Sequence, residues 1–254
     1  MAKHQLKTSS IYCGDNLAML KEVPDESVDL IYIDPPFNSN RNYEVFWGDS
    51  QEKRAFEDRH ADVQAYIDYM RPRVIELYRV LKKTGSFYYH CDWHASHYVK
   101  QMLDEIFNAN NFENEIIWRY RRWPTKSSHF QRMHDSIFFY AKSDSKERTF
   151  NNLYDQLAPS TLKTWGTKKQ KAVFEDGKRT VSSSTDEESL GVLMSDVWEI
   201  PIIAPISKER LGYPTQKPLA LLERIIEASS ERGGSPRCFL RLRHGTGSGA
   251  ETGA

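Results

Sequence analysis

The sequence predicts an α/β fold built on a mostly parallel sheet, and three observations carry that expectation. Short apolar or aromatic runs alternate with longer stretches of helical spacing. One of those runs, Val28 to Ile33, ends at two consecutive prolines, which cannot extend a central strand. The length of 254 residues, with 39% hydrophobic and 28% charged side chains, fits one large core carrying an insertion, since single cores rarely exceed roughly 250 to 300 residues.

The elements follow in order. Ser10 to Cys13 reads as a strand end, Gly14-Asp15-Asn16 as a turn, Leu17 to Glu22 as a short helix and Val28 to Ile33 as a buried strand. Val63, Ile67, Met70, Val74, Leu77 and Leu81 recur at spacings of four and three, one face of a long helix closed by Gly85, with Pro72 as a kink point. Ser86 to His90 is an aromatic strand, and Ala95, Val99, Met102 and Ile106 mark a second helix with Asp92 as its N-cap. Glu115 to Trp118 and Ser136 to Tyr140 supply two further strands, and Pro218 to Ala228 resumes helical spacing.

Thirty-five basic and thirty-five acidic residues cancel, so any affinity for nucleic acid must come from a local patch. One candidate runs from Arg119 to Arg148, where eight Lys or Arg face three acids. A second runs from Lys163 to Arg179, and Trp123, His129, Phe130 and Trp165 lie among these cations. Such stretches suit a solvated insertion or a nucleic-acid face. Ser182 to Ser189 is polar and expected to be a mobile loop. Three cysteines do not make a disulfide framework. With no apolar leader at the N-terminus and no run of about 18 apolar residues, the expectation is a soluble, cytoplasmic protein.

Asp34-Pro35-Pro36-Phe37 follows the buried strand, at the carboxyl edge where ligands of open α/β sheets bind. Each proline fixes its own φ and restricts the preceding residue, so the Asp34 carboxylate and the Pro35 carbonyl become two rigid acceptors. That pair suits a planar amino group, with Phe37 as a stacking face. Two other patterns lack support. His90, Cys91, His94 and His97 straddle a strand-to-helix junction that spreads them over different faces, and the expectation is no metal. Gly245 to Ala250 imitates a dinucleotide fingerprint, but Arg241-Leu242-Arg243-His244 before it does not read as a buried strand.

Asp34-Pro35-Pro36-Phe37, with Gly14-Asp15-Asn16 before it, Gly85 to Asp92 after it and Tyr213 to Pro218 near the end, resembles the circularly permuted amino-methyltransferases of DNA. The resemblance covers about residues 8 to 230. It implies a Rossmann-like S-adenosylmethionine-dependent methyltransferase fold, circularly permuted and incomplete, with an inserted target-recognition region. Residues 1–118 would be the catalytic half, 119–200 strands plus the basic insertion, and 201–230 the return to the cofactor side. Asp34, Pro35, Pro36 and Phe37 would be catalytic. Asp15 and Asn16 would meet the adenosine part of the cofactor, Thr215, Gln216, Lys217 and Pro218 its methionine end, and Asp34 would also lie against it. Arg119, Arg121, Arg122, Trp123, Lys126, Lys168 and Lys169 would face DNA.

The resemblance implies a site-specific enzyme that flips adenine out of double-stranded DNA and methylates N6, because Asp rather than Ser opens the tetrad. Cytosine N4 methylation and a non-catalytic DNA-binding remnant are the alternatives. A cognate restriction endonuclease and a homodimer are the further partners the family suggests.

The chain departs from the family after Glu231. The last 24 residues hold six of thirteen glycines, four arginines and no lysine, where the family continues into a strand and an F-x-G-x-G cofactor loop. Back-translation of Ser235 to Glu251 with permitted codons, read one nucleotide later, gives Val-Leu-Asp-Ala-Phe-Cys-Gly-Cys-Gly-Thr-Ala-Leu-Val-Ala-Ala-Gln. This is an apolar strand, the glycine loop and a helix start in the family's order. Residues 231–254 are therefore expected to be an out-of-frame tail, with the frame displaced between about Glu231 and Gly234. Loss of the native strand is expected to leave its neighbour's edge open, impairing solubility as well as cofactor binding.

Overall fold

A computed structural model describes residues 14–35, 41–47, 52–58, 62–144, 148–180, 183–212, 215–231 and 239–243. The chain divides into two compact units, residues 1–151 with 196–254, and residues 152–195. The second unit falls inside the region 119–200 expected to carry the insertion.

In the first unit, α1 (Asn16–Leu20) leads to β1 (Val28–Asp34), followed by the antiparallel pair β2 (Arg41–Trp47) and β3 (Glu52–Asp58). Then come α2 (Val63–Val80), β4 (Leu81–Cys91), α3 (Ser96–Phe107), β5 (Phe112–Arg119) and β6 (His134–Ala141). The second unit holds β7 (Tyr154–Asp155), α4 (Pro159–Trp165), β8 (Lys168–Lys171), β9 (Phe174–Glu175), β10 (Lys178–Arg179), β11 (Ser183–Glu188) and β12 (Val192–Leu193). β13 (Val197–Glu199), α5 (Leu219–Ser229) and β14 (Phe239–Arg243) return to the first unit.

Among the described residues the main sheet has six strands in the order β13-β5-β6-β4-β1-β14. β6 runs antiparallel to both neighbours, while β1 is parallel to β4 and β14, and β13 to β5. The parallel strands therefore end on one edge, at Asp34, Cys91, Arg119, Glu199 and Arg243. Alternation along the strands sorts the core into two faces. Ile31, Ile33, Phe87, Tyr89, Phe138 and Tyr140 pack into one cluster with α2 and α3. Tyr88 points the other way and bonds the hydroxyl of Ser229 at the end of α5, at 2.7 Å. Stacked rings tie strand to strand and strand to helix, Tyr88 on Phe139 at 4.5 Å and Phe87 on Phe107 at 4.7 Å.

Several local expectations are corrected. The long helix ends at Val80 and passes directly into β4, so Gly85 lies inside a strand rather than closing a helix. A Cβ there would come within 2.6 Å of Leu81 Cδ1 and 2.9 Å of the Asp29 carbonyl, and this close approach is what glycine serves. Asp92 does not cap α3, whose N-cap is Ala95; its carboxylate accepts from the backbone N–H of His94 and pairs with the His94 ring instead. Ser183–Glu188 is a strand rather than a mobile loop, antiparallel to β8, with Glu188 and Glu187 paired to Lys168 and Lys169. The edge of β1 is paired along Leu30 to Asp34 by β14, so the expected open edge is not found. Backbone pairing needs only an extended segment, which Phe239–Arg243 provides. Ser10 to Cys13 and Gly245 to Ala250 lie outside the described residues.

The Gly85 contacts give a direct prediction. Gly85→Ala forces a methyl against a backbone carbonyl and should lower stability by about 1–3 kcal/mol, read as a lower urea midpoint at unchanged slope.

Candidate active site at the carboxyl edge of the sheet

Asp34 shares its side-chain parity with Tyr32, and His90 shares that of Tyr88, so all four look toward the face covered by α5. Pro218 is the N-cap of α5 and Lys217 precedes it, which delivers the lysine to the same place. Lys217 Nζ lies 2.7 Å from Asp34 Oδ1, and both side chains are more than nine-tenths buried. Two unpaired charges at that depth would cost several kcal/mol each, so each requires the other.

His90 sits behind this pair and is fully buried. Its Nδ1 is 2.8 Å from the Tyr32 hydroxyl and 3.7 Å from Asp34 Oδ1. Its Nε2 is 3.1 Å from Asp135 Oδ2, and the Tyr120 hydroxyl donates to Asp135 Oδ1 at 2.8 Å. Burial works against the ionised Asp135, yet the bonds from His90 and Tyr120 and the Lys217 charge outweigh it, and its carboxyl is held below the ordinary range. Burial and the negative Asp135 push the Tyr120 phenol up. Asp92 is raised by burial and by Asp135, against the two His94 bonds. Sequence reasoning missed His90 and Asp135 as one unit, because strands far apart in sequence bring them together. An acidic residue at the second position of an otherwise apolar strand, His134–Ala141, was the signal available.

The expected cofactor residues divide. Asp15 caps α1 through Ala18, and its second oxygen accepts from Arg73 at 2.8 Å. Burial is the largest single influence and works against the ionised form, but the bonds from Ala18, Leu17 and Arg73 and the Arg73 charge together outweigh it, and the Asp15 carboxyl is lowered. Asn16 Oδ1 is buried with no hydrogen-bond partner among the described residues. An orphaned acceptor beside a capped turn fits a hydroxyl or amino donor of the kind an adenosine carries. Gln216 is spent on the chain itself, accepting from the Leu211 N–H and donating to the Glu209 carbonyl, while Glu209 accepts from the Leu219 N–H at the start of α5. Lys217 lies on Asp34, Thr215 is half-buried and Pro218 is buried. Pro35 is half-buried; Pro36, Phe37, Tyr213 and Pro214 lie outside the described residues.

The segment 120–133 leaves β5 and enters β6 at this same edge. Arg122 donates to the Tyr120 hydroxyl at 3.1 Å and lies over its ring. Trp123 and Phe130 are 92% and 97% exposed, and Arg121 and Lys126 are also exposed. Arg119 pairs with Glu199. Residues 119–124 and 199–205 line one open groove. Lys168 and Lys169 belong to the second unit and hold their glutamates there. Among the described residues no group of acids, histidines and cysteines is disposed to hold a metal ion, and no helix is long and apolar enough to cross a membrane.

Asp135 makes the acid limb of stability testable. Its folded-state pKa is lowered, so its contribution is complete above the unfolded value and disappears as pH falls through the folded one. Urea stability measured from pH 5 to pH 2 should therefore fall more steeply in the wild type than in Asp135→Asn.

Among curated proteins, the chain is 31% identical over 228 residues to the DNA adenine methyltransferase YhdJ of Escherichia coli (strain K12), covering 89% of this chain and 69% of that protein. It is 28% identical over 223 residues to the type II methyltransferase M.HpaI of Haemophilus parainfluenzae, covering 88% of this chain and 60% of that one. A solved cytosine-N4-specific PvuII DNA methyltransferase overlays 87% of this chain and 70% of its own at 15% identity, with a TM-score of 0.49. The model of a single family, described as DNA methylase, matches residues 28–235, most of the chain, and on that match the chain belongs to the DNA methylase family.

Proposed function

We propose that this chain carries the machinery of a site-specific adenine-N6 DNA methyltransferase. The observation that supports it most is the buried Asp34, ordered by Lys217 and restricted by Pro35 at the carboxyl edge of a family member's sheet. Both curated relatives described above are methyltransferases, and YhdJ acts on DNA adenine by its name.

The lone pair of an adenine amino nitrogen is delocalised into the ring and is a poor nucleophile. Accepting both amino hydrogens, at the Asp34 carboxylate and the Pro35 carbonyl, favours a pyramidal nitrogen with a localised pair. S-adenosylmethionine, when bound, supplies the electrophilic methyl group. Asn16 and the turn capped by Asp15 would hold its adenosine part, and the segment Thr215 to Pro218 its other end. Orientation of the reactants does much of the remaining work. Reaching the amino group requires flipping the base at a cost of a few kcal/mol, which stacking on Phe37, worth about 1–3 kcal/mol, would largely offset. Arg121, Arg122 and Lys126 would contact phosphates, and Trp123 the bases. Lys168 and Lys169, in the second unit, would also contact phosphates.

We also propose that the residues after about Glu231 are read in a displaced frame. β14 pairs the sheet, but its frame carries no glycine loop for the cofactor. The chain as it stands should therefore bind S-adenosylmethionine far more weakly than a frame-restored form, by calorimetry. In the frame-restored form, Asp34→Ala should abolish methyl transfer to unmethylated duplex while cofactor and DNA affinities stay within a few-fold, because Asp34 acts on the transition state. Near-normal turnover by that variant would remove Asp34 from its role. Replacing Arg121, Arg122 and Lys126 with Ala should weaken DNA binding and flatten its salt dependence, each lost phosphate contact lowering the slope by about 0.9.

A further inference from the structure

We propose that His90 is the resting place of the proton that leaves the amino nitrogen, reached through Asp34 and held ready by Asp135 and Tyr120. The inference rests on the methyl-transfer reading above and adds a positioning and relay residue to it.

Bond accounting requires such a place. The nitrogen pair forms a bond to the methyl carbon, the carbon–sulfur bond breaks, and the bonding pair stays on sulfur. The sulfonium charge disappears and the nitrogen becomes positive until it sheds a proton. Asp34, the acceptor in contact, is the first to take it. A neutral Asp34 would remove the carboxylate that lies 2.7 Å from the buried Lys217 ammonium, an unfavourable change at that depth. Passing the proton on restores that pair.

His90 is built to receive it. An ionised Asp135, the form suited to the contacts from His90 Nε2 and the Tyr120 hydroxyl, can only accept. The Nε2 facing it at 3.1 Å then carries hydrogen, which leaves Nδ1 as the acceptor, with the Tyr32 hydroxyl donating to it at 2.8 Å. This tautomer follows from the network. Nδ1 also lies 3.7 Å from Asp34 Oδ1, a small rotation from contact. Once protonated there, the imidazolium stands between the Asp34 and Asp135 carboxylates. The groups around it are then two carboxylates and two cations, counting Lys217, so the positive charge brought in on sulfur ends balanced inside the cluster. Tyr120, Tyr32 and Trp118 complete the surroundings, and the nearby Asp92 carboxyl is engaged by His94. A histidine that merely cemented three strands would need none of this alignment with Asp34.

Two measurements test it. In the chain as it stands, labelled with 15N-histidine, long-range proton–nitrogen spectra at pH 7 should show His90 as the neutral tautomer protonated at Nε2, and Asp135→Asn should erase that preference. A resonance protonated at Nδ1 in the wild type would overturn the proposal. In the frame-restored form, His90→Gln should lower kcat by ~100-fold, the scale of a lost proton acceptor, with KM for DNA and cofactor within about threefold, the same band. The loss should shrink toward pH 9, where hydroxide can take the proton. A loss that is equal at every pH, or that falls on KM, would mark a structural histidine and overturn the proposal. An inactive frame-restored wild type would overturn the methyl-transfer reading itself, a result distinct from either failure above.

Discussion

The contact between Asp34 and Lys217 constrains everything around it. A carboxylate at the end of a buried strand is stable only beside a cation at the same depth, and the cation arrives from the start of α5, distant in sequence. For the two to meet, β1 must end level with its parallel neighbours and α5 must cover the face to which Tyr32 and Asp34 point. The sheet order and the site are thus one requirement. The Tyr88–Ser229 bond secures the far end of the same helix, so the lysine is fixed by packing at both ends of the element that follows it.

The second consequence concerns contiguity. β5 ends and β6 begins on the same edge of the sheet as Asp34, and the exposed segment between them carries Arg121, Arg122, Trp123 and Lys126. Tyr120 and Asp135, its two roots, belong to the buried cluster. The surface suited to a polyanion and the carboxylate suited to an amino group therefore lie on the same edge of the sheet, linked through Asp135 and His90. In the turn proposed for the cofactor, Asn16 Oδ1 is a buried acceptor with no hydrogen-bond partner among the described residues, while both oxygens of the adjacent Asp15 are engaged by Ala18 and Arg73.

The sequence was most legible where chemistry is local. Pro35 after an apolar run marks the end of β1 and the restricted Asp34, and the spacings from Val63 to Leu81 place the start of α2, while the expected stop at Gly85 overruns its end at Val80. It was least legible where a role depends on a distant partner. Gly85 looks like a helix stop until the Asp29 carbonyl is placed against it. Asp92 has the chemistry of a cap, yet the adjacent His94 competes for it. Ser183–Glu188 has loop composition, and becomes a strand because Lys168 and Lys169 stand opposite its glutamates. His90 was visible only as one of four scattered metal-like residues, since its link to Asp135 crosses from β4 to β6. The β2–β3 pair had no clear signal beyond alternation.

The central claim is that the Asp34 site accepts an adenine amino group. Its most direct measurement is the identity of the modified base: unmethylated duplex DNA is incubated with the frame-restored protein and labelled S-adenosylmethionine, digested to nucleosides and resolved by mass. The label is expected in N6-methyladenine, with none in N4-methylcytosine. Label confined to N4-methylcytosine would contradict the claim.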